Sequence, residues 1–284
     1  MAYYFDWNGL EDFTDYPRDS RGLPMVSYGK MGLKYNPITI AQFGLDALNR
    51  YAVTNQSKDW QRALSCAQWL CENVTDWKTI GKAWVYDFPM SFYRLMPPWI
   101  SAMAQGEAIS LLLRVYSMDK DPGLLAICRS AFDIMQLPLS QGGVLDFISD
   151  DCIVFQEYPT NPPAHVLNGH IFALFGIYDF AIVTGDRRAH TLVISAVDAL
   201  LKNWQRWEQG FWTRYDLFPI PRLASHMYQK VHIRQMRALA QVFEINEFDL
   251  VAQRWQRMLY HPINNLRWLV FKIVEKAYLC RIYR

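Results

Sequence analysis

NPITIAQFGLDALNRY, residues 36–51, is the stretch on which the fold turns. Asn36 and Pro37 read as an N-cap and a first helical residue whose missing amide is an orphan at that position anyway. Ile38, Ala41, Leu45 and Leu48 follow at helical spacing. Near the start of this helix stands an amide, Gln42, and the same feature returns at Gln105, Asn168 and Gln235, after 63, 63 and 67 residues. Each amide lies in the first helix of a pair, and the second helix begins behind an acidic, cap-like cluster at Asp59, Asp121, Asp186 or Asp249. Further helices are expected over 57–73, 101–117, 122–136, 165–183, 186–207, 232–243 and 247–260, with little strand beyond a hairpin around Gly29 to Gly32.

A helical hairpin plus a long loop, repeated four times, cannot bury its apolar faces alone, but stacked neighbours can. The predicted fold is mainly α, an incomplete α/α toroid of about four helical hairpins with the first helices inside. Small residues stand where those helices would crowd: Ala41 and Gly44, Ala104 and Gly106, Gly169 and Ala173, Ala238 and Ala240. An unclosed helical bundle is the alternative. The expected divisions are an irregular or β-hairpin segment over 1–36, the toroid over 37–261, and a basic amphipathic helix over 262–284.

Composition narrows the class. With 284 residues, 51% hydrophobic and 20% charged, the chain is neither disordered nor collagen-like. A formal net charge of +2 argues for no nucleic-acid partner. Aromatic residues reach 15%, which suits a core and also sugar-ring stacking. The five cysteines, at 66, 71, 128, 152 and 280, have no metal or disulfide-framework spacing and read as buried, reduced thiols. No basic or apolar leader is visible in MAYYFDWNGLEDF. The apolar run 171–183 is thirteen residues with Asp179 inside it, too short and too charged to span a bilayer. A soluble, cytoplasmic protein is expected.

Three long loops precede inner helices: WVYDFPMSFYRLMPPW (84–99), DFISDDCIVFQEYPTNPP (146–163) and FWTRYDLFPIPRLASHMYQK (211–230). Loops of this length are usually functional or disordered, and these are too aromatic for disorder. They converge on one end of the inner helices, so the site is expected there. No His or Cys spacing fits a metal, and no nucleophile elbow or phosphate loop occurs, so no metal and no cofactor are expected. The acidic run Asp146, Asp150 and Asp151 reads as a solvated turn. The loops do carry a carboxylate among phenols: Glu157 and Tyr158, Tyr215 beside Asp216, and Tyr228, with Arg214 and Arg222 nearby. Pro159, Pro162, Pro163, Pro219 and Pro221 limit the backbone around them.

The strings YNPITIAQFGL (35–45), WISAMAQGEAISLLLRVY (99–116), QEYPTNPPAHVLNGHIFALFGIYD (156–179) and RYDL (214–217) resemble the D-glucuronyl C5-epimerase family of heparan sulfate and heparosan biosynthesis, over its C-terminal helical domain. A weaker match runs through Tyr228, His232, Ile233 and Gln235 to Arg254 and Trp255. The resemblance implies an α/α toroid, with Glu157, Tyr158, Tyr215 and Tyr228 as catalytic residues. The substrate-binding candidates are Trp99, Gln42, Gln105, Asn161, Asn168, Arg214, Arg222 and His232. It departs from the animal members in three ways. They carry β-rich, calcium-binding domains ahead of the toroid, Phe218 stands where they have a basic residue, and His165 where they have Phe.

What the resemblance implies chemically is inversion of D-glucuronate to L-iduronate in a heparosan-like glycan. A base removes the C5 hydrogen, α to the carboxylate, and an acid returns a proton from the other face. No redox step occurs, and the expected partner is a glucuronate-containing polysaccharide. Tyr228 is assigned to one face, Glu157 with Tyr158 to the other, and Tyr215 to positioning. Arg214, Arg222 or Lys230 could lower a nearby phenol, and burial could raise Glu157. The alternatives are a uronate polysaccharide lyase and a non-catalytic glycan-binding toroid. In the last segment Leu266, Leu269, Val270, Ile273, Val274 and Ala277 share a side, expected to close the domain or form a homodimer contact. Arg267, Lys272, Lys276, Arg281 and Arg284 lie elsewhere, and contact with a membrane surface is the alternative.

Overall fold

The computed structural model describes residues 2–10, 13–149 and 151–282. Four helical hairpins follow one another: α1 (Pro37–Thr54) with α2 (Ser57–Asn73), α3 (Ala102–Asp119) with α4 (Pro122–Met135), α5 (Leu167–Thr184) with α6 (Arg187–Asn203), and α7 (His226–Phe243) with α8 (Asn246–Tyr260). The first helices pack in sequence, α1 on α3, α3 on α5 and α5 on α7, and each second helix packs outside its own partner. This is the incomplete α/α toroid. Three of the expected caps form, Asn36 accepting from the Ile38 amide, Asp121 from Gly123 and Asp186 from Arg188, and Ser101 adds one by accepting from Ala104. Asp59 and Asp249 instead lie inside the first turns of α2 and α8, whose N-cap positions are Gln56 and Ile245.

Helices α3 and α5 form the centre, and glycine sets their approach. A Cβ on Gly176 would stand 2.2 Å from the Gly106 carbonyl oxygen, and one on Gly106 would stand 2.6 Å from the Ala173 Cα. Helix α5 contains the apolar run: where the run 171–183 is expected to be too short and too charged to span a bilayer, the 18-residue helix is by length and composition apolar enough to cross a membrane, but 78% of it is buried in the fold. Its one acid, Asp179, is matched inside the core by Arg114 of α3 and by the Ser110 hydroxyl at 2.6 Å.

The residues before α1 are built into the toroid. Tyr3, Phe5 and Trp7 are buried, and Phe5 and Trp7 lie against Phe172 of α5. Asn49 of α1 donates to the Phe5 carbonyl at 2.8 Å, while Arg234 of α7 donates to Asp6 and Asn8 carbonyls at 2.6 and 2.8 Å. The segment thus lies across the gap between the first and last inner helices.

Strand is more frequent than expected. The hairpin near Gly29 is β1 (Val26–Ser27) with β2 (Leu33–Lys34). Three further antiparallel pairs go beyond the expectation: β3 (Thr75–Trp77) with β4 (Gly81–Ala83), β5 (Val85–Tyr86) with β6 (Trp99–Ile100), and β7 (Leu145–Ser149) with β8 (Cys152–Phe155). These strands are two to five residues long, too short for a period-2 pattern to register. The last two pairs brace the long loops.

Helix α9 (Pro262–Ile282) follows. Its expected apolar face points outward: Leu266, Leu269, Val270, Ile273 and Val274 are 50–62% exposed. The side toward the domain instead carries Asn264, Asn265, Trp268, Phe271, Lys272 and Glu275. Tertiary hydrogen bonds override hydrophobicity here, since Trp268 Nε1 donates to the Ala224 carbonyl at 2.8 Å and Asn265 Nδ2 to Leu259 at 2.8 Å. The cysteines are all free, but Cys280 is exposed and Cys71 half-buried, against the expectation that all five are buried.

Candidate active site

Glu157 is delivered by the end of β8. Gln156, fully buried, ties that strand to α3 by accepting the Ala102 amide at 2.9 Å, and its side chain bonds the His165 amide and Asp146. Glu157 then lies against the first turn of α5. A Cβ on Gly169 would stand 2.3 Å from Glu157 Oε2, so the glycine is what lets the carboxyl seat there. Gly169→Ala is expected to displace Glu157 and cut turnover by about 10²-fold, the scale of losing a positioned acid–base group. Steady-state kinetics beside a circular dichroism spectrum checks this; wild-type turnover would show that the carboxyl has room elsewhere.

Tyr158 stacks on Tyr93 at 4.3 Å between ring centroids, with Trp99 behind it at 5.8 Å. Thr160 holds the turn, donating its amide to the Tyr158 carbonyl and its hydroxyl to that of Tyr93. Tyr215 comes from an irregular loop pinned to Arg222 and to Leu167 of α5 by backbone bonds of 3.0 and 3.3 Å. Its ring meets Tyr228 edge-on at 4.7 Å. Tyr228 belongs to a helix rather than a loop: α7 starts at His226, ahead of the expected start at His232. Ser225 caps it, its Oγ accepting the Tyr228 amide at 3.1 Å.

Tyr158 and Tyr228 form the shared wall of two cavities. The inner, about 220 Å³, is lined by Trp7, Gln42, Met103, Glu157 and Asn168 among others. The outer, about 300 Å³, is lined by Tyr93, Tyr215, Arg222, Lys272 and Glu275 among others. A larger cavity of about 870 Å³ lies between the N-terminal segment and α1–α2 and holds none of these phenols, nor Glu157. Its lining carries Arg18, Arg50 and Arg62 against Asp6 and Asp46, and Arg50 and Arg62 are also paired with Asp59 behind it. The four expected catalytic residues all line the two smaller lobes.

Burial raises the Glu157 carboxyl to about 7, against a hydrogen bond from Tyr158 and the charge of Arg222, both of which pull it down. Tyr158 and Tyr215 are pushed well above the ordinary phenol range, first by burial and then by the Glu157 charge. The expectation that an arginine lowers a phenol is therefore corrected. Arg222 is matched by fully buried Asp216 at 2.5 Å, and both bond the Tyr93 hydroxyl. Arg214 turns to the Phe218 carbonyl at 3.2 Å and lines neither lobe, and Lys230 is exposed. Glu157 is thus poised to ionise near neutrality beside phenols at 158 and 215 that stay protonated.

The substrate-binding candidates divide. Gln42 and Asn168 line the inner lobe and Arg222 the outer. Asn168 Oδ1 is buried without a hydrogen-bond partner, and so is Oε2 of Glu157. The others do not line either lobe. Gln105 brackets the Trp84 backbone at 3.1 and 3.0 Å, and Trp99 donates to the Phe88 carbonyl at 2.8 Å. His232 is fully buried beside Thr213 at 2.9 Å, and burial lowers it to about 3, so it is neutral. Asn161 is exposed on the loop outside both lobes. Gln235, the fourth repeated amide, sits behind Asn168, donating to its carbonyl at 2.9 Å.

The acidic run is not a simple solvated turn, because Asp146 accepts from Gln156 at 2.7 Å and meets His165 Nε2 at 3.0 Å; Asp150 lies outside the described residues. Among the described residues no group of three His, Cys, Asp or Glu could hold a metal ion. Tyr93, Lys272 and Glu275 line the outer lobe without being singled out by the sequence as site residues. Loop length marks the segment holding Tyr93, but only the fold stacks that ring on Tyr158.

Residues 78–257 match the family described as D-glucuronyl C5-epimerase C-terminus. The D-glucuronyl C5-epimerase of Caenorhabditis elegans is 29% identical over 212 residues, which cover 67% of this chain and 34% of that one. Uncharacterized protein MJ1128 of Methanocaldococcus jannaschii is 27% identical over 156 residues, 54% of this chain and 50% of that one. The chain thus spans between a third and a half of the length of these relatives. In fold it is similar to the GH76A alpha-1,6-mannanase from Salegentibacter sp. HEL1_6, with a TM-score of 0.51 at 12% identity, over 78% of this chain and 61% of that one. With Glu157, Tyr158, Tyr215 and Tyr228 all inside the matched segment and gathered around one cleft, the chain belongs to the D-glucuronyl C5-epimerase C-terminus family.

Proposed function

We propose that the protein is a polysaccharide uronate C5-epimerase that converts D-glucuronate to L-iduronate residues in a heparosan-like glycan. The observation that carries this is a buried carboxyl poised at about 7 on one side of a cleft whose shared wall is two phenols. A C5–H bond α to a carboxylate needs a base that is ionised near neutrality, and Glu157 meets that requirement. Inversion needs an acid across the ring. Tyr228, which faces both lobes, is assigned that role, with Tyr158 bonded to Glu157 as its relay. Tyr215, packed edge-on against Tyr228, positions it.

The C5 proton passes to the Glu157 carboxylate as the electron pair moves into the substrate carboxylate, giving an enediolate. The pair then returns to C5 as Tyr228 gives up its hydroxyl proton; Glu157 releases a proton to solvent and Tyr228 takes one back, so protons balance and no electron is gained or lost. The apolar and aromatic lining, Trp7, Met103, Phe172 and Tyr158, suits a sugar face. The test is proton NMR of heparosan incubated with the protein in heavy water. Deuterium at C5 together with new iduronate signals is the expected result. Unsaturated uronate ends without iduronate would make the protein a lyase, and an unchanged, bound polymer would make it a binding toroid.

A further inference from the structure

The reaction leaves a carboxylate, and then an enediolate, to be held. Among the residues that line the two lobes only Arg222 and Lys272 carry a positive charge. Arg222 is committed elsewhere: its Nε and Nη2 bond Asp216 and its guanidinium lies over the Phe92 ring at 3.9 Å. Lys272 is differently placed. It comes from α9, beyond the matched segment, and helical spacing sets it one turn past Trp268, whose indole bonds the Ala224 carbonyl just before the Ser225 cap of α7. The same anchor therefore fixes both Tyr228 and Lys272. Its side chain is one quarter exposed, and its ammonium meets both oxygens of Glu275 at 2.9 Å. It has three N–H donors on a flexible stem, so it can keep Glu275 and still offer a donor to the outer lobe.

We propose that Lys272 is a substrate-binding residue: it holds the carboxylate of the uronate at the tyrosine cluster, with Glu275 as the counter-ion it partly exchanges on binding. This rests on the uronate substrate class proposed above and adds a residue to it. The C-terminal helix is then part of the active site rather than an appendage. A carboxylate held this way gains charge as C5 is deprotonated, so the contact strengthens along the reaction.

The experiment compares binding of a heparosan oligosaccharide with its carboxyl-reduced, neutral counterpart by calorimetry, together with kcat and KM on heparosan. Wild type is expected to prefer the acid form. Lys272→Met, which keeps the stem, should lose that preference and raise KM by at least ~10-fold, the scale of one charge-assisted hydrogen bond. Lys272→Arg should restore part of it, and Glu275→Gln should tighten acid binding severalfold by removing the competitor. If the pair served only to hold α9 in place, both substitutions would shift Tm and neither would move the acid preference; that result overturns the proposal, as does equal affinity of wild type for the two oligosaccharides. Wild type that prefers the acid form through Lys272 but never exchanges C5 would overturn the epimerase reading and leave this one standing.

Discussion

Tyr228→Phe is expected to lower epimerisation by at least ~10²-fold, the low end for losing a positioned acid–base group, with fold and glycan binding retained. The ring is held by its edge-on contact with Tyr215, and its backbone by the Ser225 cap; neither uses the hydroxyl. What the substitution removes is a proton source on the wall common to both lobes. Tyr158 and Tyr215 do not replace it, because burial and the Glu157 charge hold both phenols protonated and they stand in fixed stacks of their own. Loss of inversion need not stop exchange, since a base can remove and return a proton on one face. The measurement is deuterium uptake at C5, read separately in glucuronate and iduronate residues. Epimerisation at the wild-type rate would reduce Tyr228 to a packing residue.

Glu157→Gln should have an equally large effect on turnover and an opposite one on stability. For wild type, the acid limb of kcat/KM is expected near pH 7, the value to which burial lifts this carboxyl, with activity falling about tenfold per pH unit below it. The variant should lack that limb. A carboxyl that ionises near 7 when folded and at its ordinary 4.5 when unfolded binds its proton more tightly in the native state. Its ionisation therefore costs nothing below about pH 4.5, costs progressively more up to about 7, and costs a constant amount above, on the order of 3 kcal/mol. The neutral amide of the variant carries no such penalty. Melts should show the variant several degrees more stable than wild type at about pH 8 and nearly equal to it at about pH 4.5. A difference that does not change between those pH values would mean that the carboxylate is solvated in the native state.

The same residues show how far a sequence carries. Helix positions from 37 onward are legible because the apolar period and the caps at Asn36, Asp121 and Asp186 are local, set by neighbours within one turn. The small residues at 44 and 106 also speak for close helix packing, and a Cβ at either position would collide with the neighbouring helix. The start of α7 is not legible in the same way, because His226 to Lys230 lacks a strong apolar period and its serine cap sits unannounced among loop residues.

Through its amino-acid order alone, this protein specified four helical hairpins, a toroid, and a carboxylate-and-phenol set in the segment that carries the family match. Tertiary structure alone decided which of those groups face a cavity. Gln42 and Asn168 line the inner lobe while Gln105 turns to Trp84 and His232 to Thr213, although all four are polar residues on inner helices. It also brought Tyr93, Asp216 and Arg222 together across 129 residues of sequence, and swung α9 so that Lys272 rather than its leucines meets the domain. The reason is physical. A helical period is a property of residues a few positions apart, whereas burial, and with it the elevated Glu157 carboxyl, depends on what distant segments remove from water around a side chain.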